Sequence, residues 1–201
     1  MRVIAGLYKG RRLKTPEWAG LRPTSDKLRE TLFNILAPRV SGARVLDGYA
    51  GTGAIGIEAL SRGAAHVTFI EKHRRAAALI EENLKACGVE GGYTIRCAEV
   101  VAALDALPAA DAFDLILLDP PYDIENVSAV LDAAARRLAG NGLVVLERAT
   151  RREPEEPAAL QRTRDVKSGD STLTFYSRDR GSGIGDPQFG SRIPDPGSRG
   201  E

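Results

Sequence analysis

The most specific chemistry in this 201-residue chain lies in four consecutive residues, Asp119-Pro120-Pro121-Tyr122, directly after the apolar run Phe113–Leu118. Two successive prolines remove two backbone donors and hold φ near about −65°. The result is a stiff segment that sets carbonyl acceptors beside a carboxylate. Two fixed acceptors with no donor suit an exocyclic –NH₂ group, whose lone pair is otherwise delocalised into a base ring. Accepting both N–H bonds favours the pyramidal amine, which can attack a methyl group in line. Tyr122 offers a flat face for base stacking, worth about 1–3 kcal/mol. Asp119, Pro120, Pro121 and Tyr122 are the candidate catalytic residues, and the chemistry they suit is amine methylation. A Pro-Pro pair can also simply end a strand, but a glycine loop about seventy residues upstream argues against that plainer reading.

That loop is Val45-Leu46-Asp47-Gly48-Tyr49-Ala50-Gly51-Thr52-Gly53-Ala54-Ile55-Gly56, which reads as a strand, a tight turn and a helix start. Gly51, Gly53 and Gly56 fit G-x-G-x-x-G, the dinucleotide fingerprint, which is weak alone and suggests NAD first. Asp47 points elsewhere. A negative charge four residues before Gly51 would oppose a pyrophosphate on the helix N-terminus, yet it attracts a cation or an amine. S-adenosylmethionine offers both, in its sulfonium and its ammonium. Glu71 follows Gly53 by 18 residues and ends the second strand, where an acid can accept from a ribose diol. NAD enzymes use this position too, so Glu71 indicates adenosine without separating the two cofactors. Glu99 closes the third strand and is the acidic candidate for the adenine, although acids also favour first helical turns. The candidate cofactor contacts are Asp47, Tyr49, Gly51, Gly53, Glu71 and Glu99.

Strands alternating with helices must position these residues. Short apolar runs fall at Arg44–Leu46, Val67–Ile70, Tyr93–Arg96, Phe113–Leu118 and Leu143–Leu146, with helical patterns between them at Ile55–Arg62, Arg74–Ala86, Val100–Leu104 and Val127–Leu138. This rhythm predicts an α/β fold, a doubly wound, mostly parallel sheet. Ahead of it, Thr24-Ser25-Asp26 caps a helix with Leu28, Leu32, Ile35 and Leu36 on its stripe, stopped by Pro38. Gly88 and Gly140 are expected helix C-caps. Arg162–Val166, a turn at Lys167-Ser168-Gly169-Asp170, and Ser171–Ser177 read as an antiparallel C-terminal hairpin.

Composition excludes several classes. The formal charge is only +1. Residues 1–44, however, carry ten Lys/Arg against three Asp/Glu, a local +7, and the remainder carries −6. A basic arm on an acidic body suggests contact with a polyanion. No apolar run approaches the ~20 residues of a membrane span, and the start lacks the stretch of a signal peptide. Cys87 and Cys97 form no ligand pattern with His66 and His73, so neither a zinc site nor a Ser-His-Asp hydrolase is expected. Two unpaired thiols suit a reducing cytoplasm. Three regions are expected: a basic arm at 1–23, a folded domain at 24–180, and a tail at 181–201. The tail holds six Gly and three Pro and cannot bury enough apolar area to order itself.

Asp-Pro-Pro-Tyr after a fourth strand resembles the signature of S-adenosylmethionine-dependent amino methyltransferases. The start Arg2-Val3-Ile4-Ala5-Gly6, with Lys9-Gly10-Arg11-Arg12-Leu13, is similar to the opening of the RsmD family. So are Leu21-Arg22-Pro23-Thr24-Ser25-Asp26-Lys27-Leu28-Arg29-Glu30-Thr31-Leu32-Phe33, the run Ala50–Ala64, and Gly169-Asp170 before Leu173-Thr174-Phe175-Tyr176. Two departures stand out: Gly48-Tyr49 replaces an apolar pair, and Cys97-Ala98-Glu99 shifts or replaces the acid of the third strand. The resemblance covers nearly all of residues 1–177 and implies a Rossmann-like class I methyltransferase with a seven-stranded sheet and a small N-terminal arm. It implies methyl transfer from S-adenosylmethionine to guanine N2 of 16S rRNA, free or in the small ribosomal subunit. S-adenosylhomocysteine would be the product, with no metal required. The expected enzyme is a cytoplasmic monomer, independent of membranes, with Lys9, Arg11, Arg12, Arg22 and Arg29 on RNA phosphates. The alternatives are a DNA adenine-N6 methyltransferase, a non-catalytic cofactor-binding subunit and an NAD-dependent oxidoreductase.

Overall fold

From Arg44 to Ala149 each short apolar run becomes a strand and each amphipathic segment a helix, in strict alternation. A computed structural model describes residues 1–16, 26–108, 110–121, 124 and 126–178. The strands are β1 (Arg44–Gly48), β2 (His66–Ile70), β3 (Tyr93–Arg96), β4 (Phe113–Leu118), β5 (Leu138–Ala149), β6 (Gln161–Ser168) and β7 (Ser171–Ser177). They form one sheet in the order β3-β2-β1-β4-β5-β7-β6. The first five strands pair in parallel and β7 runs antiparallel between β5 and β6. The order and directions match the expected doubly wound, Rossmann-like sheet with an antiparallel C-terminal hairpin.

The helices are α1 (Asp26–Val40), α2 (Ala54–Ser61), α3 (Arg74–Ala86), α4 (Val100–Asp105) and α5 (Val127–Arg137). Side chains alternate across a strand, so β1 sends Val45 and Asp47 to one face and Leu46 to the other. The first face, with Val67, Phe69, Leu117 and Val145, packs against α1, α2 and α3. The second, with Ile70, Ile116, Leu118 and Leu146, packs against α4 and α5. The strand order reverses between β1 and β4. In such sheets ligands bind beyond the carboxyl ends of the strands at that reversal.

Two local expectations are corrected. Helix α1 does not stop at Pro38 but continues to Val40. A proline in the last turn removes one hydrogen bond, and burial of Val40 (1% exposed) holds the end in place. Gly140 does not cap α5, because Leu138 is already extended at ψ 133 and pairs with Phe113. Gly88 does cap α3: at φ 66 it lets Gly88 N donate to Lys85 O and Val89 N to Leu84 O, a Schellman turn.

The described part of the arm folds back on itself through an Arg2–Arg12 bridge and lies against α2 and α3. Val3 and Leu13 are buried. Glu58 of α2 accepts Ile4 N (2.7 Å) and Ala5 N (3.0 Å). Asn83 of α3 accepts Lys14 N and donates to the carbonyls of Lys14 and Thr52. Leu7, at the tip, is 79% exposed. No helix among the described residues is long and apolar enough to cross a membrane. Arg22, the Thr24-Ser25 cap, Tyr122 and the tail at 181–201 lie outside the described residues, as do the expected boundaries at 23 and 180.

Candidate active site

Strand β1 delivers Asp47 to the reversal point, and the glycine loop turns the chain back over it. Gly51 (φ 54) and Gly53 (φ 76) adopt the left-handed conformation, which glycine enters without steric cost. Tyr49 also has positive φ, at 64. A side chain held there is strained by about 1–2 kcal/mol, and such strain persists where the surroundings over-determine it, often at functional sites. Gly56 fits where nothing larger would, since a Cβ there would overlap the Phe69 ring.

Asp47 is 1% exposed, and one of its oxygens accepts Gly56 N at 2.8 Å. The carboxylate braces the loop onto the start of α2, a role the sequence did not disclose. Burial pushes its carboxyl well above the ordinary range; the Gly56 N–H opposes this, and the charges of Asp119 and Glu71 add to it. A folded-state value above the unfolded one of about 4 favours folding of the protonated form. Stability from this group is therefore present at low pH and lost as pH rises from about 4. Asp47→Asn is expected to unfold at a higher temperature than the parent at pH 8, with the gap closing toward pH 4. Thermal unfolding across that range checks it, and a gap independent of pH would contradict it.

Glu71, just past β2, is 5% exposed. It accepts Gly51 N (3.0 Å) on one oxygen and His73 N (2.8 Å) on the other, joining the glycine loop to the entry of α3. A carboxylate has roughly four acceptor positions, so these two bonds do not saturate it. Glu99 stands at the N-cap of α4 without a side-chain cap bond and pairs with exposed Lys72 at 3.5 Å. Its charge acts on Tyr49, whose hydroxyl is pushed up to about 12, chiefly by burial.

Asp119 follows β4 directly, and its N–H reaches Gly48 O at 3.4 Å, so the ends of β1 and β4 stay in register. Pro120 is buried and Pro121 exposed. Asp47, Glu71 and Asp119 thus gather at adjacent strand ends. Among the described residues, no Lys or Arg pairs with Asp47 or Glu71.

The expected basic contacts separate. Lys9 and Arg12 are exposed. Arg11 is committed to the arm's own docking: it donates to Cys87 O at the end of α3 and lies 5.6 Å over the Tyr8 ring. Arg29 corrects the expectation of a phosphate contact, because it is 0% exposed. It lies on the same α1 stripe as Phe33 and Leu36, at helical spacing. Its Nη2 donates to Arg2 O (2.5 Å) and Asp26 (3.0 Å), and its Nε lies 3.9 Å from Glu58.

Sequence reasoning missed Glu147. It follows the apolar run Leu143–Leu146 much as Asp119 follows Phe113–Leu118, and that strand-end position was the available signal. Glu147 is 8% exposed and accepts the Ser171 hydroxyl at 2.9 Å.

Residues 1–177 match the family model described as Conserved hypothetical protein 95. The chain is 34% identical over 184 residues to ribosomal RNA small subunit methyltransferase D of Escherichia coli (strain K12), covering 89% of this chain and 90% of that protein. It is 37% identical over 158 residues to the protein of the same name from Haemophilus influenzae, covering 73% and 78%. The solved structure of yhhF from Escherichia coli superposes with a TM-score of 0.77 at 33% identity, covering 89% of this chain and 98% of that one. With a glycine loop, strand-end acids and Asp-Pro-Pro placed as described, the chain belongs to the Conserved hypothetical protein 95 family of RsmD-type methyltransferases.

Proposed function

We propose that this protein methylates the exocyclic N2 amine of a guanine in 16S rRNA, using S-adenosylmethionine. The observation that carries the reading is the stiff Asp119-Pro120-Pro121 segment set beside a glycine loop whose surroundings are acidic. That setting fits the cofactor: the buried Asp47, with Glu71 near it, disfavours a pyrophosphate and favours a cation. Asp47 and the loop at Gly51 and Gly53 would hold the methionine portion, Glu71 the ribose, and Tyr49 and Glu99 the adenine side. When bound, S-adenosylmethionine supplies an electrophilic methyl on a sulfonium and leaves as the neutral thioether S-adenosylhomocysteine.

The chain itself positions the nucleophile. Asp119 and the Pro120 carbonyl accept the two N–H bonds of the amine, Pro121 stiffens the segment, and Tyr122 stacks on the base. The surplus proton leaves to solvent after transfer, when the methylated amine is acidic. Catalysis is mainly orientation. RNA as substrate is supported by relatives named for small-subunit rRNA methylation. Guanine N2 as the acceptor follows from the sequence resemblance. The enzyme is read as a cytoplasmic monomer that needs no metal.

The test is incubation of small ribosomal subunits, free 16S rRNA and DNA with methyl-labelled S-adenosylmethionine, followed by nucleoside analysis. N2-methylguanosine in the ribosomal substrates is expected; label only in DNA adenine, or none, overturns the reading. Lys9 and Arg12 are proposed as phosphate contacts. The Lys9→Ala/Arg12→Ala double variant is expected to bind RNA more weakly, with a salt slope flatter by roughly 0.7–0.9 per lost contact. S-adenosylmethionine binding should be unchanged. Titrations at several salt concentrations check this, and an unchanged slope removes the arm from the RNA interface.

A further inference from the structure

Strands β4 and β5 pair with Leu117 opposite Val145 and Leu118 opposite Leu146, so the next residues along them are Asp119 and Glu147. Alternation places both acids on the face shared by Leu117 and Val145. Both line one cleft with Leu28, Leu32, Ile55 and Leu173, enclosing about 270 Å³ including its open mouth. Glu147 also lines the neighbouring cleft with Pro120, Pro121 and Ile124. Its carboxylate thus sits where the Asp-Pro-Pro segment meets both clefts. Ser171 supplies one of the bonds to it, and a carboxylate can accept about four.

A guanine presents two adjacent donors on this edge, the N2 amine and N1–H. An adenine presents a bare N1 acceptor beside its amine, which a carboxylate repels. We propose that Glu147 is the residue that selects guanine, by accepting N1–H while Asp119 and Pro120 hold the N2 amine. The apolar walls of the cleft strengthen such a bond by excluding water. This inference rests on the guanine-N2 reading above and adds to it a source of base specificity distinct from the group that orients the nucleophile. Glu147 selects and Asp119 aligns.

The test replaces the target guanine, once mapped with the wild-type enzyme, by 2-aminopurine, which keeps the 2-amine but carries a bare N1. Wild-type enzyme should favour guanine over 2-aminopurine in kcat/KM by roughly 10- to 100-fold, the range of one well-placed base contact. In Glu147→Gln, whose neutral amide can accept from guanine or donate to 2-aminopurine, that ratio should fall toward one. S-adenosylmethionine affinity and thermal stability should be retained. Binding of the 2-aminopurine RNA, read by its fluorescence on leaving the stack, should tighten in the variant and not in Glu147→Asp. Three results overturn the inference. Equal loss on both substrates with the ratio intact reduces Glu147 to support for the β5–β7 pair through Ser171. A wild-type ratio near one shows without any variant that N1–H is not read. The absence of N2-methylguanosine in the first mapping step overturns the parent reading along with this one.

Discussion

Asp119→Ala is expected to lower methyl transfer by about a hundredfold or more, the scale of losing a reacting group's alignment, while S-adenosylmethionine affinity stays almost unchanged. Asp119 lies at the end of β4, whereas the groups assigned to the cofactor lie beyond β1, β2 and β3, and its carboxylate is assigned to the substrate amine. Single-turnover rates and cofactor titration on one preparation separate the two effects. An equal loss of cofactor affinity would move Asp119 into the cofactor site and leave the target amine without its acceptor. Asp119→Asn should be nearly as damaging, because its amide can place a donor where two acceptors are required.

The largest stability effect is expected at Glu58. It is fully buried, accepts two arm amides and Arg62 Nε at 2.7 Å, and faces the buried Arg29 guanidinium. Burial pushes the pKa of Arg29 down, with Asp26 and Glu58 opposing. Among the described residues its Nε and Nη1 find no hydrogen-bond partner, so Glu58 compensates for a charge that is already poorly solvated. Glu58→Ala removes that compensation and should cost about 3–5 kcal/mol, or very roughly 6–20 °C in Tm for a chain of this size. Denaturant unfolding checks it, and a loss below about 1 kcal/mol would show that Arg29 relaxes toward water. Glu58→Gln should be milder, because the amide oxygen still accepts from the arm.

The strand–helix alternation, the glycine loop and the Asp-Pro-Pro segment were legible because each rests on local chemistry. Apolar period, positive φ at glycine and the missing N–H of proline are all written within a few residues. Arg29 was misread for the complementary reason. Asp26, Lys27 and Glu30 around it are charged, and only the helical spacing to Phe33 and Leu36 shows that it turns inward. Glu58 carries no local signal of its role, since its partners Ile4 and Ala5 are more than fifty residues away. Gly140 was taken for a cap because helix and strand meet there without a turn, and the strand pairing of Leu138 depends on Phe113. Glu147 went unremarked because an acid after an apolar run is common, and only the sheet sets it beside Asp119.

The way the arm is tied down also bears on the order in which the molecule forms. Its fastenings span 53 or 54 residues to Glu58, 69 to Asn83 and 76 to Cys87, and the arm leaves the ribosome before any of these partners. Loops of that length close only after their distant partners exist, and long-range contacts slow folding. The arm must wait until α3 has been synthesised and seated on the sheet, so its contacts belong to the late side of the folding barrier. Weakening them should leave the refolding rate nearly untouched and accelerate unfolding instead. In kinetic terms the first fourteen residues act as a latch: they set how long the finished domain stays closed, not how quickly it assembles.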